Sequence, residues 1–331
     1  MKIAATFYRK GSRKRMLRQL GLDPLWQSVD EQRKEGWRMG RQIGAVILAA
    51  GQGKRMHTKV AKQFLELKGK PLLCHTLEAF EKSRVDHIVL VAGEEQICYC
   101  EKEIVQAWGF SKVKAVVPGG KERYHSVYEG LKALFPVFKP EPSGCVHPVF
   151  TPGLSGCVRP VSKPGATGFV FSGGDEDGLW HDDAAFLKGG EDEEWYVLIH
   201  DGARPLVSEA VIQRAIEGAV KYRACVVGMP VKDTIKVSSP EGFASGTPDR
   251  KTLWQIQTPQ AFDFGLLFNA YGRMLNQPGC QEGITDDGMV VEAMTSCPVK
   301  LIEGDYRNIK VTTWEDLLVA EAFLEQASHL A

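Results

Sequence analysis

No cysteine pair in this chain has the C-x-x-C spacing of a zinc ribbon or redox motif: its 8 cysteines are scattered at 74, 98, 100, 145, 157, 225, 280 and 297. Several sit inside apolar runs such as Ala224-Cys225-Val226-Val227, which suits reduced thiols in a cytosolic protein better than a disulfide framework. Long apolar runs are also missing, so nothing approaches the roughly 18–20 residues of a membrane span. Residues 1–42 are basic yet lack the apolar core of a signal peptide, and Asp23, Asp30, Glu31 and Glu35 with little Ser argue against a transit peptide. They read as an N-terminal extension, and the expected location is the cytoplasm. Neither charge sign dominates: 41 Lys plus Arg balance 41 Asp plus Glu. A neutral chain has no global attraction to nucleic acid or an anionic membrane, so any anion site must be assembled locally.

What is present is a series of short apolar runs separated by helical periodicity. Ala45–Ala50, Asp86–Ala92, Val113–Val117, Tyr196–His200, Ala224–Pro230 and Val299–Ile302 read as strands buried on both faces. Helical patterns fill Pro71–Lys82 and Ser208–Tyr222, the latter with Ser208 placed to cap it, and Thr312-Thr313-Trp314-Glu315 opens a final helix as a capping box. Strand–helix alternation predicts an α/β fold with a doubly wound, mostly parallel twisted sheet.

Residues 135–195 interrupt this alternation. Ser143-Gly144-Cys145-Val146-His147-Pro148-Val149 returns as Ser155-Gly156-Cys157-Val158-Arg159-Pro160-Val161, and an acidic, Gly-rich tract follows from Gly173 to Glu194. Two short copies are too few for a solenoid. Pro and Gly density favours a mobile surface insertion over a metal site built from Cys145, His147, Cys157 and His181.

The sharpest chemical signal is Leu48-Ala49-Ala50-Gly51-Gln52-Gly53-Lys54-Arg55-Met56, followed by Lys62-Gln63-Phe64. A buried strand runs into a glycine turn and then cations, at the strand end where α/β sheets bind ligands. Glycines let backbone N–H groups approach phosphates. It is not a P-loop, since Arg55 stands where Ser or Thr is needed, and Met56 replaces the third Gly of the dinucleotide fingerprint. A second signal, Ile199-His200-Asp201-Gly202-Ala203-Arg204-Pro205, also ends a buried strand. Asp201 is a candidate Mg²⁺ ligand and Arg204 a candidate phosphate fork, whereas His200 reads as a hydrogen-bonded core histidine. Lys232–Lys236, Asp249-Arg250 with Leu253–Gln260, and Tyr306–Thr312 are polar stretches that each read alone as solvated loops.

Taken in order, Ala-Ala-Gly-x-Gly-x-Arg-Met, Lys-Gln-Phe, Gly-Gly-x-x-Arg-x-x-Ser (119–126), His-Asp-Gly-Ala-Arg-Pro, Lys-Asp-Thr, Asp-Arg-x3-Trp, Gln-Thr-Pro-Gln, Thr-Asp-Asp (285–287) and Asn-Ile-Lys-Val-Thr resemble the 2-C-methyl-D-erythritol 4-phosphate cytidylyltransferases of the non-mevalonate isoprenoid pathway. The resemblance covers roughly residues 43–134 and 195–327. It implies a nucleotide-diphospho-sugar-transferase-like sheet, CTP and methylerythritol phosphate as substrates, and Mg²⁺ held through Asp201. Arg55 and Lys62 would bind the CTP phosphates and stabilise charge at the attacked phosphorus. Ala49, Ala50, Gly51, Gly53, Gly120, Ser126 and Gly202 would line the nucleotide side. Asp201, Arg204, Thr234, Thr258, Thr285 and Lys310 would hold the second substrate, with Lys310 also counted among the catalytic groups. The family's dimerisation arm, expected here within 230–262, would carry Arg250 into the site of a partner subunit. The alternatives are a ribitol 5-phosphate cytidylyltransferase and a catalytically silent nucleotide-binding paralogue.

Overall fold

The computed structural model describes residues 40–51, 61–138 and 193–330; residues 1–39 of the expected extension 1–42, the repeat, the acidic tract up to 192, Gly53 and Arg55 lie outside them, while Arg41 and Gln42 already belong to the first strand. Seven strands form one sheet in the order β11-β7-β10-β6-β1-β4-β5. These are β1 (Arg41–Ala49), β4 (His87–Ala92), β5 (Val113–Pro118), β6 (Glu194–Asp201), β7 (Ala224–Pro230), β10 (Trp254–Asp263) and β11 (Lys300–Glu303). Two small hairpins, β2 (Glu66–Leu67) with β3 (Lys70–Pro71) and β8 (Val237–Ser238) with β9 (Ala244–Gly246), complete the set. The pairs β1–β4, β4–β5 and β7–β11 are parallel, and β10 runs antiparallel to both β6 and β7.

Side-chain alternation divides the packing between two faces. Val46, Val89, Val91, Val197 and Ile199 join one core with helices α3 (Arg123–Phe138), α5 (Phe264–Asn276) and α6 (Asp287–Met294). His200, one residue on from Ile199, faces the other side and meets Phe80 of α1 (Leu72–Lys82) with ring centroids 4.9 Å apart. Helix α2 (Ile97–Tyr99) runs on as a π-helical stretch, Cys100–Gln106, before β5.

Helix termini follow their local chemistry. Ser208 caps α4 (Glu209–Tyr222) by accepting the Val211 N–H, and Arg223 ends it in the left-handed region at φ 66°. The capping box of the last helix, α7 (Trp314–Leu330), lies one residue later than the sequence suggests. Thr313 Oγ1 accepts the Asp316 N–H (3.4 Å) and Asp316 accepts that of Thr313 in return (2.9 Å).

Three boundaries differ from the sequence reading. Phe138 and Trp195 are core residues whose rings stack 5.3 Å apart, so the interruption expected at 135–195 begins after α3 and ends before β6. Leu253–Gln260 is not a solvated loop: from Trp254 it is an interior strand. Of the expected arm 230–262, residues 254–262 thus lie in the central sheet, while 231–253 carries the exposed β8–β9 hairpin and Phe243 at 75 % exposure. Gln257, Thr258 and Gln260 mislead because they are polar yet buried, each engaged in hydrogen bonds across the fold.

Candidate active site

The sheet order reverses between β1 and β6. Connections from β1 proceed outward to β4 and β5, while β6 leads the other way to β10, β7 and β11. Ligands of doubly wound sheets bind beyond the strands' carboxyl ends at such a switch point. Here the Gly202 N–H donates to Leu48 O (2.8 Å), bringing the ends of β1 and β6 side by side.

On the β1 side the surface is made of small residues and backbone. A Cβ added to Gly119 would fall 2.6 Å from Ala50 Cβ and 2.8 Å from Ser126 Oγ, so only glycine fits between them. The Gly120 N–H donates to Ser126 Oγ (3.1 Å), tying the turn after β5 to the first turn of α3. At Gly202 an added Cβ would lie 3.6 Å from Ala49 Cβ and 3.0 Å from Leu73 Cδ1. Lys62 opens a short 3₁₀ turn, and its Cε would be 4.0 Å from a Cβ on Gly51. Its neighbour Gln63 is buried and donates to Ala49 O, seating that turn on the end of β1.

On the β6 side the surface is made of charge, with Asp201 and Arg204 buried and Arg123 and Lys310 partly exposed. Asp201 Oδ2 accepts from Lys310 Nζ at 2.8 Å and lies 3.8 Å from Arg204 Nε, while Oδ1 lies 3.8 Å from Arg123 Nε. Burial pushes the Asp201 pKa upward, but the charges of Lys310, Arg123 and Arg204 outweigh it and hold the carboxyl well below the usual carboxylate range. Burial likewise lowers the Arg204 pKa, opposed by Asp201. Thr258 Oγ1 accepts the Asp201 N–H (3.1 Å) and lies 3.0 Å from His200 Nδ1. Burial pushes the His200 pKa down to about 3, leaving a neutral core histidine.

The loop carrying Lys310 is stitched down on both sides. Arg204 Nη1 donates to Asn308 O (2.8 Å), the Val311 N–H donates to Ala203 O (2.8 Å), and Asn308 Nδ2 donates to Thr258 O (2.8 Å). Residues separated by about a hundred positions in sequence thus fix one carboxylate and one amine.

The structure therefore gathers Asp201, Arg204, Thr258 and Lys310 in one cluster and Ala49, Ala50, Gly51, Lys62, Gly120, Ser126 and Gly202 beside it. Thr285 is exposed, with its hydroxyl on Met289 Sδ (3.1 Å), one residue before the Asp286 cap of α6. Thr234 and Arg250 are exposed on segment 231–253, where Arg250 donates to Lys232 O (2.8 Å). Arg123 is the charged member to which the sequence reading assigned no role, although it stands inside the Gly-Gly-x-x-Arg-x-x-Ser motif. Its signal was a cation in the first turn of a helix, where the dipole favours an anion.

Comparison with known proteins identifies the family. The profile of the family described as 2-C-methyl-D-erythritol 4-phosphate cytidylyltransferase matches residues 43–138 and 170–326. The protein of that name from Lachnoclostridium phytofermentans is 38 % identical over 285 residues, covering 86 % of this chain and 97 % of the relative. Its namesake from Geotalea uraniireducens is 37 % identical over 290 residues, covering 87 % and 98 %. The crystal structure of a 4-diphosphocytidyl-2C-methyl-D-erythritol synthase from Anaerococcus prevotii superposes with a TM-score of 0.61 at 28 % identity, covering 86 % of this chain and 97 % of that one. With the switch-point crevice, the charged cluster and these matches together, the chain belongs to the 2-C-methyl-D-erythritol 4-phosphate cytidylyltransferase family.

Proposed function

We propose that the protein transfers CMP from CTP to 2-C-methyl-D-erythritol 4-phosphate, giving 4-diphosphocytidyl-2-C-methyl-D-erythritol and pyrophosphate. The observation that carries this reading is the anionic Asp201 ringed by Lys310, Arg204 and Arg123 beside a glycine-lined cradle at the switch point. A phosphate oxygen of the acceptor attacks the α-phosphorus in line; the new P–O bond forms as the α–β bridge breaks, and pyrophosphate leaves with the bonding pair. The attacking phosphate is already anionic near neutral pH, so no general base is needed. Catalysis rests on positioning and on charge stabilisation.

In this reading Lys62 and Arg55 neutralise the triphosphate, and Ala49, Ala50, Gly51, Gly53, Gly120, Ser126 and Gly202 shape the nucleotide side. Arg204, Thr234, Thr258, Thr285 and Lys310 hold the acceptor. Asp201 suits Mg²⁺ as a single protein carboxylate: it stays ionised, and among the described residues only its Oδ2 is engaged at hydrogen-bond distance, by Lys310, with Oδ1 facing Arg123 at 3.8 Å. No group of three or more His, Cys, Asp or Glu ligands exists among the described residues, so substrate phosphates would supply the other oxygens. Bound there, the ion would neutralise phosphate charge. The protein works as a homodimer in the cytoplasm, with Arg250 of segment 231–253 completing the neighbouring subunit's site. No helix among the described residues is long and apolar enough to cross a membrane.

The test is pyrophosphate release with CTP, Mg²⁺ and either methylerythritol phosphate or ribitol phosphate. Release with the first alone is expected. Release with ribitol phosphate alone moves the protein to that sibling activity, and CTP binding without release from either makes it a silent paralogue.

A further inference from the structure

Behind Arg123 lies a buried network that the transfer chemistry does not itself require. Arg123 Nη1 and Nη2 donate to Asp287 Oδ1 and Oδ2 at 2.8 and 2.7 Å, a bidentate fork on a carboxylate with no exposed surface. Tyr271, equally buried in α5, donates its hydroxyl to Asp287 Oδ1 at 2.6 Å. The Asp287 and Gly288 N–H groups both donate to Gln260 Oε1 (2.9 and 3.0 Å), whose Nε2 donates in turn to Asp286 Oδ2 (3.2 Å). Gln260 stands two residues beyond Thr258 on β10, and Thr258 accepts the Asp201 N–H.

The fork leaves the Arg123 guanidinium one aspect that faces the site, Nε at 3.8 Å from Asp201 Oδ1. That distance is too long for a hydrogen bond but close enough for the charge to act on the carboxylate. With both ends of the fork held, Arg123 has no freedom to collapse onto Asp201 or to swing away from it. The same network fastens the start of α6, where Thr285 stands, to the strand that carries Thr258.

We propose that Asp287 is a positioning residue for the transfer reaction: by gripping Arg123 it sets the charge beside Asp201 and holds the acceptor side of the site in register, without touching either substrate. This rests on the functional reading above. A purely structural role would lower stability and affect CTP and acceptor alike, whereas a positioning role falls on the acceptor and on turnover.

The experiment compares Asp287→Asn with the unsubstituted protein in three measurements: CTP affinity by calorimetry, kcat and acceptor KM by pyrophosphate release, and the position of Arg123 in a crystal structure of the variant. The expected result is CTP affinity within about threefold, a fall of about 10²-fold in kcat/KM for the acceptor, as misplacement of about 1 Å can cause, and Arg123 displaced from Asp201. Equal losses for CTP and acceptor, acceptor kcat/KM close to that of the unsubstituted protein, or an unmoved Arg123 would each overturn the proposal. Should Asp287→Asn fail to fold, Tyr271→Phe removes one hydrogen bond to the same carboxylate; it should weaken acceptor kcat/KM several-fold at unchanged CTP affinity, and no such split overturns the proposal. An unsubstituted protein that releases no pyrophosphate sinks the functional reading instead, and the crystallographic position of Arg123 then decides the positional claim on its own.

Discussion

The two sides of the crevice are built by opposite means. At the ends of β1 and β5 the surface is defined by what is missing: Gly119 has no room for a side chain against Ala50 and Ser126, Gly202 closes against Ala49 from the end of β6, and what lines this side is backbone and small atoms. At the end of β6 it is defined by charge, one carboxylate against three cations, each steadied by bonds to distant segments. A close-packed cradle tolerates no added atom, and a charge cluster tolerates no lost partner. The first side therefore breaks by insertion and the second by deletion.

That contrast is sharpest at Lys310. Replacing it by Met keeps the stem and removes the cation from Asp201, and turnover should fall about 10²–10³-fold, as for loss of one oxyanion donor. CTP affinity should change little, because the proposed function assigns the triphosphate to the β1 side. Mixing this variant with Arg250→Ala subunits should restore part of the activity if Arg250 serves the neighbouring site; no recovery from confirmed mixed dimers would place Arg250 outside it.

Gly119→Ala makes the opposite test. Its Cβ would sit 2.6 Å from Ala50 Cβ, and overpacking of that kind costs about 1–3 kcal/mol. The KM for CTP should rise about tenfold while that for the acceptor stays put. An equal rise in both would erase the distinction between the two sides.

The mildest test uses pH, through His200 behind the charged side. Its folded pKa is pushed down from 6.5 to about 3 by burial. Between those values the unfolded chain takes up a proton that the folded protein refuses, so stability must fall as pH drops from 6.5 towards 3. At pH 5 the single group contributes a loss of about 2 kcal/mol. His75 and His87 are also depressed by burial and act in the same direction, so the measurement is the difference in pH slope, by denaturant unfolding, between the parent and His200→Asn. Parallel slopes would mean that His200 is not the buried neutral group described.

How legible each region was in the sequence follows the same division. The strands β1, β4, β6 and β7 were readable because continuous apolar runs bounded by turn residues need only local pattern. Strand β10 escaped because Gln257, Thr258 and Gln260 are polar, and what makes them interior is a set of partners 26 to 58 residues away. The capping box was legible to within one residue, since Thr312 and Thr313 both carry the right hydroxyl and only the helix start distinguishes them. Arg123 was visible as a motif letter but not as a charge beside Asp201.

The sequence by itself determined the α/β alternation, the glycine turns at strand ends, the candidacy of Asp201, Arg204 and, through the family resemblance, Lys310, and a motif order specific enough to point to one family. Each of those is written in contiguous residues. Only the tertiary structure decided that an antiparallel strand lies between β6 and β7, that Thr258 and His200 share a hydrogen bond, and that Asp287 grips Arg123. These are pairings across loops, and a buried polar group or charge takes its partner from whatever the completed fold sets beside it.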